Sequence, residues 1–164
     1  MAKYNLVSAA IIAELKSIVG EKYVWTEPDK LEPYSHDEVT GTKYTKAPEV
    51  VVLPRTAEEI AKIVKLANQE LIPVVPRGAG SGYACAAVAF KGGIVLATER
   101  MNKILELDEQ NLIMVSEPGV RTCEVQQAAN EKGFMYAGDP SSGDSSFIGG
   151  NVATNAGGNK AVKY

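Results

Sequence analysis

Three glycines at alternate positions, 78, 80 and 82, stand in "PVVPRGAGSGY" directly after an apolar run. Glycine lacks a Cβ, so such a loop can take backbone angles closed to other residues and let a ligand lie against the main chain. A second stretch, "IGGNVATNAGG", sets two Gly-Gly pairs around Asn151, Thr154 and Asn155, small polar groups able to bond a ribityl chain or a diphosphate. All of the 15 glycines except Gly20 and Gly41 lie at or beyond residue 78, where both stretches fall. The chemistry on offer is the holding of an anion or a long polar ligand by bare backbone.

Acid–base, nucleophilic and metal chemistry is poorly provided for. His36, in "YSHDE", is the single histidine. Without a second imidazole or a serine nucleophile context it cannot complete a Ser-His-Asp or histidine–metal centre, and a hydrogen-bonding or surface role is expected. Cys85 and Cys123 lie far apart, with no CxxC and no histidine cluster, so both are expected as free thiols, Cys85 as packing. No catalytic residue and no metal ligand is assigned.

The elements that must position the glycines follow from periodicity. Residues 8–19 place apolar side chains at 11, 12, 15, 18 and 19, a helical spacing with Ser8 and Gly20 suited to its ends. "KYVWT" reads as a short strand. "EPDKLEPYSHDEVTGTKYTKAP" reads as a polar connector over the surface with at most one helical turn. "EVVVL" is a β-branched strand stopped by Pro54, and the helix after it shows apolar positions 57, 60, 61, 63, 64 and 67, with Thr56 and Glu59 forming a capping box. "IPVVP" is the next strand, so residues 49–76 form a βαβ unit that delivers the chain into the glycine loop at a strand's carboxyl end, where open α/β sheets bind ligands. Beyond it come three strand-like runs, "GGIVLAT", "KILELDEQ" and "NLIMVSEPGV", with "DEQN" as a hairpin turn. An amphipathic helix, "TCEVQQAANEK", ends at Gly133.

Known phosphate loops narrow the choice. Gly78 and Gly80 match the start of G-x-G-x-x-G, but position 83 is Tyr and "ACAAVAFKGG" is too short for a crossover helix. No glycine precedes Lys with Ser or Thr after it, which excludes a Walker A loop. What remains is a nest of backbone N–H groups over residues 77–83 turned toward an anion; Arg77 either adds charge there or pairs with a carboxylate. The alternative on this loop alone is a tight turn without a ligand. The second glycine stretch favours a long, multi-phosphate cofactor.

Composition bounds the class. The 164 residues, 45% apolar and 23% charged, suit a soluble globular chain with a core. A formal net charge of -3 offers no general attraction for nucleic acid or an anionic membrane. The start, "MAKYNLVSAAIIAELKS", carries Glu14 and Lys16 within its apolar part and no cleavage pattern. No membrane span, no signal peptide and a cytoplasmic location are therefore expected.

Taken in order, "PVVPRGAGSG", "GGIVLATERMNKILELDEQNLIMVSEPGV", "DPSS" and "IGGNVATNAGG" resemble the FAD-binding domain of the vanillyl-alcohol oxidase type, and especially the flavin subunits of glycolate oxidase and D-lactate dehydrogenase relatives. The resemblance covers about residues 30–164. It implies an α+β fold, an FAD-binding domain of two α/β subdomains, the second incomplete because the chain stops in mid-domain at "NKAVKY". Residues 1–46 would be an N-terminal helix and connector, and 47–164 the truncated FAD-binding domain. By the same resemblance, Arg77, Gly78, Ala79, Gly80, Ser81, Gly82 and Tyr83 line the FAD diphosphate. Pro118, Gly119 and Val120 lie near the adenine and ribose. Asp139, Pro140, Ser141, Ser142, Ile148, Gly149, Gly150, Asn151, Thr154, Asn155 and Gly157 lie near the diphosphate, ribityl chain and ring.

Some relatives attach flavin through a histidine at the first loop; this loop has none, which implies non-covalent FAD. The implied activity is oxidation of a small D-2-hydroxy acid (D-lactate or glycolate type) to a 2-oxo acid by hydride transfer to FAD, with catalytic and metal residues beyond this chain. An electron-acceptor partner, such as an electron-transfer flavoprotein or an iron–sulfur protein, is implied too. The other readings are a non-catalytic FAD-binding or electron-transfer subunit and a ligand-free α/β module.

Overall fold

The computed structural model describes residues 4–164. In chain order these form α1 (Ala9–Val19), β1 (Val24–Trp25), α2 (Pro28–Leu31), β2 (Val50–Val52), α3 (Ala57–Gln69), β3 (Val74–Arg77), β4 (Ile94–Ala97), β5 (Ile104–Asp108), β6 (Ile113–Ser116), α4 (Thr122–Glu131) and α5 (Ile148–Thr154). Contacts divide the chain into two units, Met1–Arg100 and Met101–Tyr164. The mixture of helices with parallel and antiparallel strands is the expected α+β class.

In the first unit α1 starts where the Ser8 hydroxyl accepts from the Ile11 N–H, and it ends at Gly20, whose φ of 92° suits glycine. Its buried face, Ile11, Leu15 and Val19, shares one core with Val24, Val50, Ile63, Leu66 and Ile94. The N-terminal helix is thus built into the same body as β2, α3 and β4. On α3 the period puts Leu66 inside and leaves Val64 at the surface. Its capping box differs from expectation by one residue: Thr56 accepts from Glu59 N–H, but the Glu59 carboxylate reaches back to Arg55 N–H at 2.7 Å.

The sheet order is β1-β2-β4-β3, antiparallel at β1/β2 and parallel elsewhere. The β2-α3-β3 crossover therefore leaves a gap that β4 fills, pairing Val50 and Val74 through Ile94. β4 is buried at every residue, the all-apolar pattern of a strand covered on both faces. The glycine loop leaves the carboxyl end of β3.

The connector is more structured than expected. α2 runs into a 3₁₀ turn at Glu32–Tyr34, and a further turn spans Thr42–Tyr44. Leu31, Tyr34, Ser35 and Asp37 are buried, so the segment does not simply wrap the surface. The polar composition misled because its buried groups are satisfied locally, as described below.

In the second unit β5 and β6 form the expected hairpin, with Asp108 accepting from the N–H groups of Gln110 and Asn111 across the turn. A cavity of about 360 Å³ is lined by Leu107, Ile113 and Met114 of the hairpin, Val125 and Ala129 of α4, and Ile148 of α5. The tail is not all loop: residues 148–154 of the second glycine stretch are helical. Two glycines disfavour a helix by about 1 kcal/mol each. Tertiary contacts made by Gly149 and Asn151 override that preference.

Candidate functional site

In the first unit, no backbone N–H of residues 78–83 donates a hydrogen bond to any described group. Six adjacent amides without internal partners, on a loop beyond the carboxyl end of parallel strands, are free to donate to a ligand. Tyr83 at its end is exposed, and a Cβ placed on Gly82 would meet nothing within 4 Å.

Arg77, the first residue of the expected set, turns inward. Its side chain does not project toward solvent and forms no ion pair among the described residues. The guanidinium donates to the carbonyls of His36 at 2.8 Å, Pro33 at 3.0 Å and Ala87 at 3.4 Å, and lies 5.4 Å from the Tyr34 ring centre. Burial lowers its pKa, opposed by Tyr34, Glu99 and Asp37. Gly80, with φ of 75°, sits against this guanidinium, and a Cβ there would collide with Nη2 and Cζ. The bare backbone at Gly80 is thus required from within, by Arg77, as well as by its φ.

The loop is braced by residues that composition did not mark. Asp37 is buried; its carboxylate accepts from Cys85 N–H at 2.6 Å and Val39 N–H at 2.9 Å. Gly82 O accepts from Glu38 N–H. Tyr34 donates to Glu99 at 2.6 Å, and burial first, then Glu99, raises its pKa well above the usual range. Cys85 is not mere packing: it holds a left-handed φ of 54°, rare for a residue with a Cβ, and is only half-buried. Desolvation and the Asp37 charge push its thiol pKa up, so it is a poor nucleophile at neutral pH. The His36 ring is about half exposed and near Glu32, while its carbonyl serves Arg77.

The second unit brings two expected groups together by backbone. Ile148 N–H donates to Val120 O at 2.8 Å and Gly149 N–H to Pro118 O at 2.9 Å; a Cβ on Gly149 would lie 2.6 Å from Pro118 Cβ. Gly119 donates to Met101 O. Asp139 is tied likewise: its N–H donates to Gly157 O, and its carboxylate accepts from Gln126 at 3.2 Å and Lys160 at 3.1 Å. Lys160, then Gln126, lowers the Asp139 pKa. Pro140 O receives Gly143 N–H, and the Thr154 hydroxyl donates back to Gly150 O. Asn155 caps α5 in a left-handed conformation, φ 53°. The Asn151 side chain is buried against Thr122 at 2.6 Å. The N–H groups of Ser141, Ser142 and Gly150 have no internal acceptor among the described residues, and Gly150 has open space beside it.

Residues 48–164 match the FAD binding domain family. The chain belongs to that family. Its cofactor is FAD, and the residues of the first unit fit it: unpaired amides suit a diphosphate, and the open space beside Gly82 leaves room for a ligand along the main chain. The chain is 41% identical over 160 residues to a D-2-hydroxyglutarate dehydrogenase of Stutzerimonas stutzeri, covering 97% of this chain and 34% of that protein. It is 40% identical to a D-lactate dehydrogenase of Anaerostipes hadrus (99% and 34%) and to the glycolate oxidase subunit GlcD of Bacillus subtilis (80% and 27%). It therefore spans about a third of the length of the curated relatives it matches. Among solved structures, an alkyldihydroxyacetonephosphate synthase superposes with a TM-score of 0.86 at 23% identity, covering 99% of this chain and 35% of that one, a likeness of fold. A 4-ethylphenol oxidase from Gulosibacter chungangensis gives 0.72 at 26% identity, covering 87% and 28%.

Among the described residues no group of three or more His, Cys, Asp or Glu is placed to hold a metal, and no helix is long and apolar enough to cross a membrane.

Proposed function

We propose that this chain is the FAD cradle of a flavin-dependent dehydrogenase that oxidises a small D-2-hydroxy acid to the 2-oxo acid. The observation that carries the proposal is the row of amides at residues 78–83 with no acceptor among the described residues, which suits a polyanionic ligand. The similarity to D-2-hydroxyglutarate and D-lactate dehydrogenases supports the substrate class. FAD supplies the two-electron acceptor for the substrate's C–H bond, and the hydroxyl proton goes to a base outside these residues.

The chain's own work is binding. Amides 78–83 donate to the diphosphate; Arg77, Asp37 and the Pro33 and His36 carbonyls hold the loop so that those amides need no reorganisation on binding. Ser141, Ser142 and Gly150 offer further N–H donors. The absence of histidine from residues 77–85, where some relatives attach flavin, supports a flavin held without a covalent bond.

The test uses the full-length protein. It should purify with flavin that acid precipitation releases entirely into the supernatant. D-2-hydroxyglutarate, D-lactate and glycolate should be assayed with an artificial dye acceptor, and at least one should reduce the dye and bleach the flavin. Flavin that no hydroxy acid bleaches would overturn the dehydrogenase reading.

A further inference from the structure

A buried polar knot holds together the segments of the second unit that carry its expected cofactor contacts. Thr122, at the start of α4, has no exposed surface; Ser146 and Asn151 are almost as buried. Asn151 Nδ2 donates to Thr122 Oγ1 at 2.6 Å, and Thr122 Oγ1 lies 2.8 Å from Ser146 Oγ and 3.1 Å from Ser146 O. The Thr122 N–H also donates to Ser146 O at 2.9 Å. One hydroxyl thus accepts from α5 and bonds the turn that precedes it.

What the knot fixes is the run from Ser146 to Asn151. This run is zipped to Pro118 and Val120 through backbone hydrogen bonds, and it presents Gly150 with an N–H that has no acceptor among the described residues and with open space beside it. A short helix with two glycines has little intrinsic preference for one geometry. Its orientation must come from tertiary contacts: the backbone bonds to Pro118 and Val120, and the side-chain bond from Asn151 to Thr122.

We propose that Thr122 is a positioning residue for cofactor binding, acting through Asn151 and Ser146, and that the Asn151 amide serves this knot instead of contacting FAD. The inference rests on the FAD reading above. In a sheltered site, removing one hydroxyl strands the Asn151 donor and part of Ser146 without changing the shape of the core.

The experiment compares Thr122→Val, Thr122→Ser and Ser146→Ala in the full-length protein. FAD affinity is measured by flavin fluorescence and the melting temperature of the flavin-free form is recorded alongside. Thr122→Val should weaken FAD binding about tenfold at temperatures well below its own melt. Thr122→Ser, which restores the hydroxyl, should return affinity to within about threefold of the parent, and Ser146→Ala should fall between the two. Thr122→Val binding FAD as the parent does, or Thr122→Ser losing as much as Thr122→Val, would overturn the inference. Should Thr122→Val not fold, Ser146→Ala decides, since parental affinity there would reject the knot's role. A parent protein that binds no FAD would bring down the FAD reading itself; a parent that binds FAD with unaltered variants brings down this inference alone.

Discussion

The two glycine-rich stretches use glycine for different reasons. The loop after β3 keeps its amides unpaired and is held from beneath by side chains, with Arg77 bonded to three carbonyls and Asp37 to two amides. The stretch from Asp139 to Gly158 is held largely by close backbone contacts, Gly149 against Pro118 and Asp139 against Gly157 and Gly158, to which the Thr122–Ser146–Asn151 knot adds side-chain bonds. In the first region side chains leave the main chain available to a ligand; in the second, main chain packs on main chain and only a few amides remain open. Glycine count alone does not tell a binding loop from a close backbone contact.

Substitutions at single glycines separate these roles, and the largest effect is expected at Gly158. It has φ of 74°, and a Cβ there would run into the Asp139 carbonyl. Gly158→Ala should cost about 3 kcal/mol or more, combining backbone strain with a steric clash that no side-chain rotation relieves. Thermal unfolding of the variant checks this; a melt equal to the parent's would refute the main-chain account of the second stretch.

Next comes Gly80. Gly80→Ala forces a Cβ onto the Arg77 guanidinium at a left-handed φ, so a stability loss of about 2 kcal/mol should accompany a sharp fall in flavin content. Retained stoichiometric FAD after purification would mean that Arg77 does not brace the loop.

Gly82 should behave in the opposite way. With open space around it, Gly82→Ala should change the stability of the flavin-free protein by less than about 0.5 kcal/mol, yet weaken FAD about tenfold by placing a methyl group in the cofactor's path. Equal losses in both measurements would erase the contrast with Gly80.

The smallest effect concerns pH. Lys160 and Gln126 depress the Asp139 pKa in the fold, so the carboxylate's contribution is fully present above the ordinary aspartate value and is lost as pH falls through the lowered one. Asp139→Asn should therefore lower stability slightly near neutrality and flatten the acid limb, the difference from the parent vanishing as pH falls through the lowered value. An unchanged acid limb would show that the Lys160 contact contributes nothing in solution.

Much of this architecture was legible in the sequence, because apolar periodicity reports burial directly. The helical spacing of Ile11, Leu15 and Val19 and the β-branched run Val50–Val52 gave α1 and β2, and "DEQN" gave the hairpin turn. What periodicity cannot report is a polar side chain bonded to distant backbone. Arg77 bonds the His36 carbonyl and Asp37 bonds the Cys85 amide across more than 40 residues of chain, and the connector looked like a surface loop because its buried groups are polar. The α5 helix was hidden for a related reason: its two glycines argue against a helix locally, while Pro118 and Thr122 stabilise it from elsewhere. The candidate loop itself was visible because alternating glycines after a strand are a local signal. Thr122 and Ser146 carried no such mark.

The central claim is that the amides of residues 78–83 hold the FAD diphosphate, and amide hydrogen exchange on the full-length protein with and without FAD tests it most directly. Exchange at these positions should be fast without flavin and slow by an order of magnitude or more when FAD is bound, because each N–H then has an acceptor. Riboflavin, which has no phosphate, should give little protection there. FAD bound tightly while exchange at 78–83 stays unaltered would contradict the account.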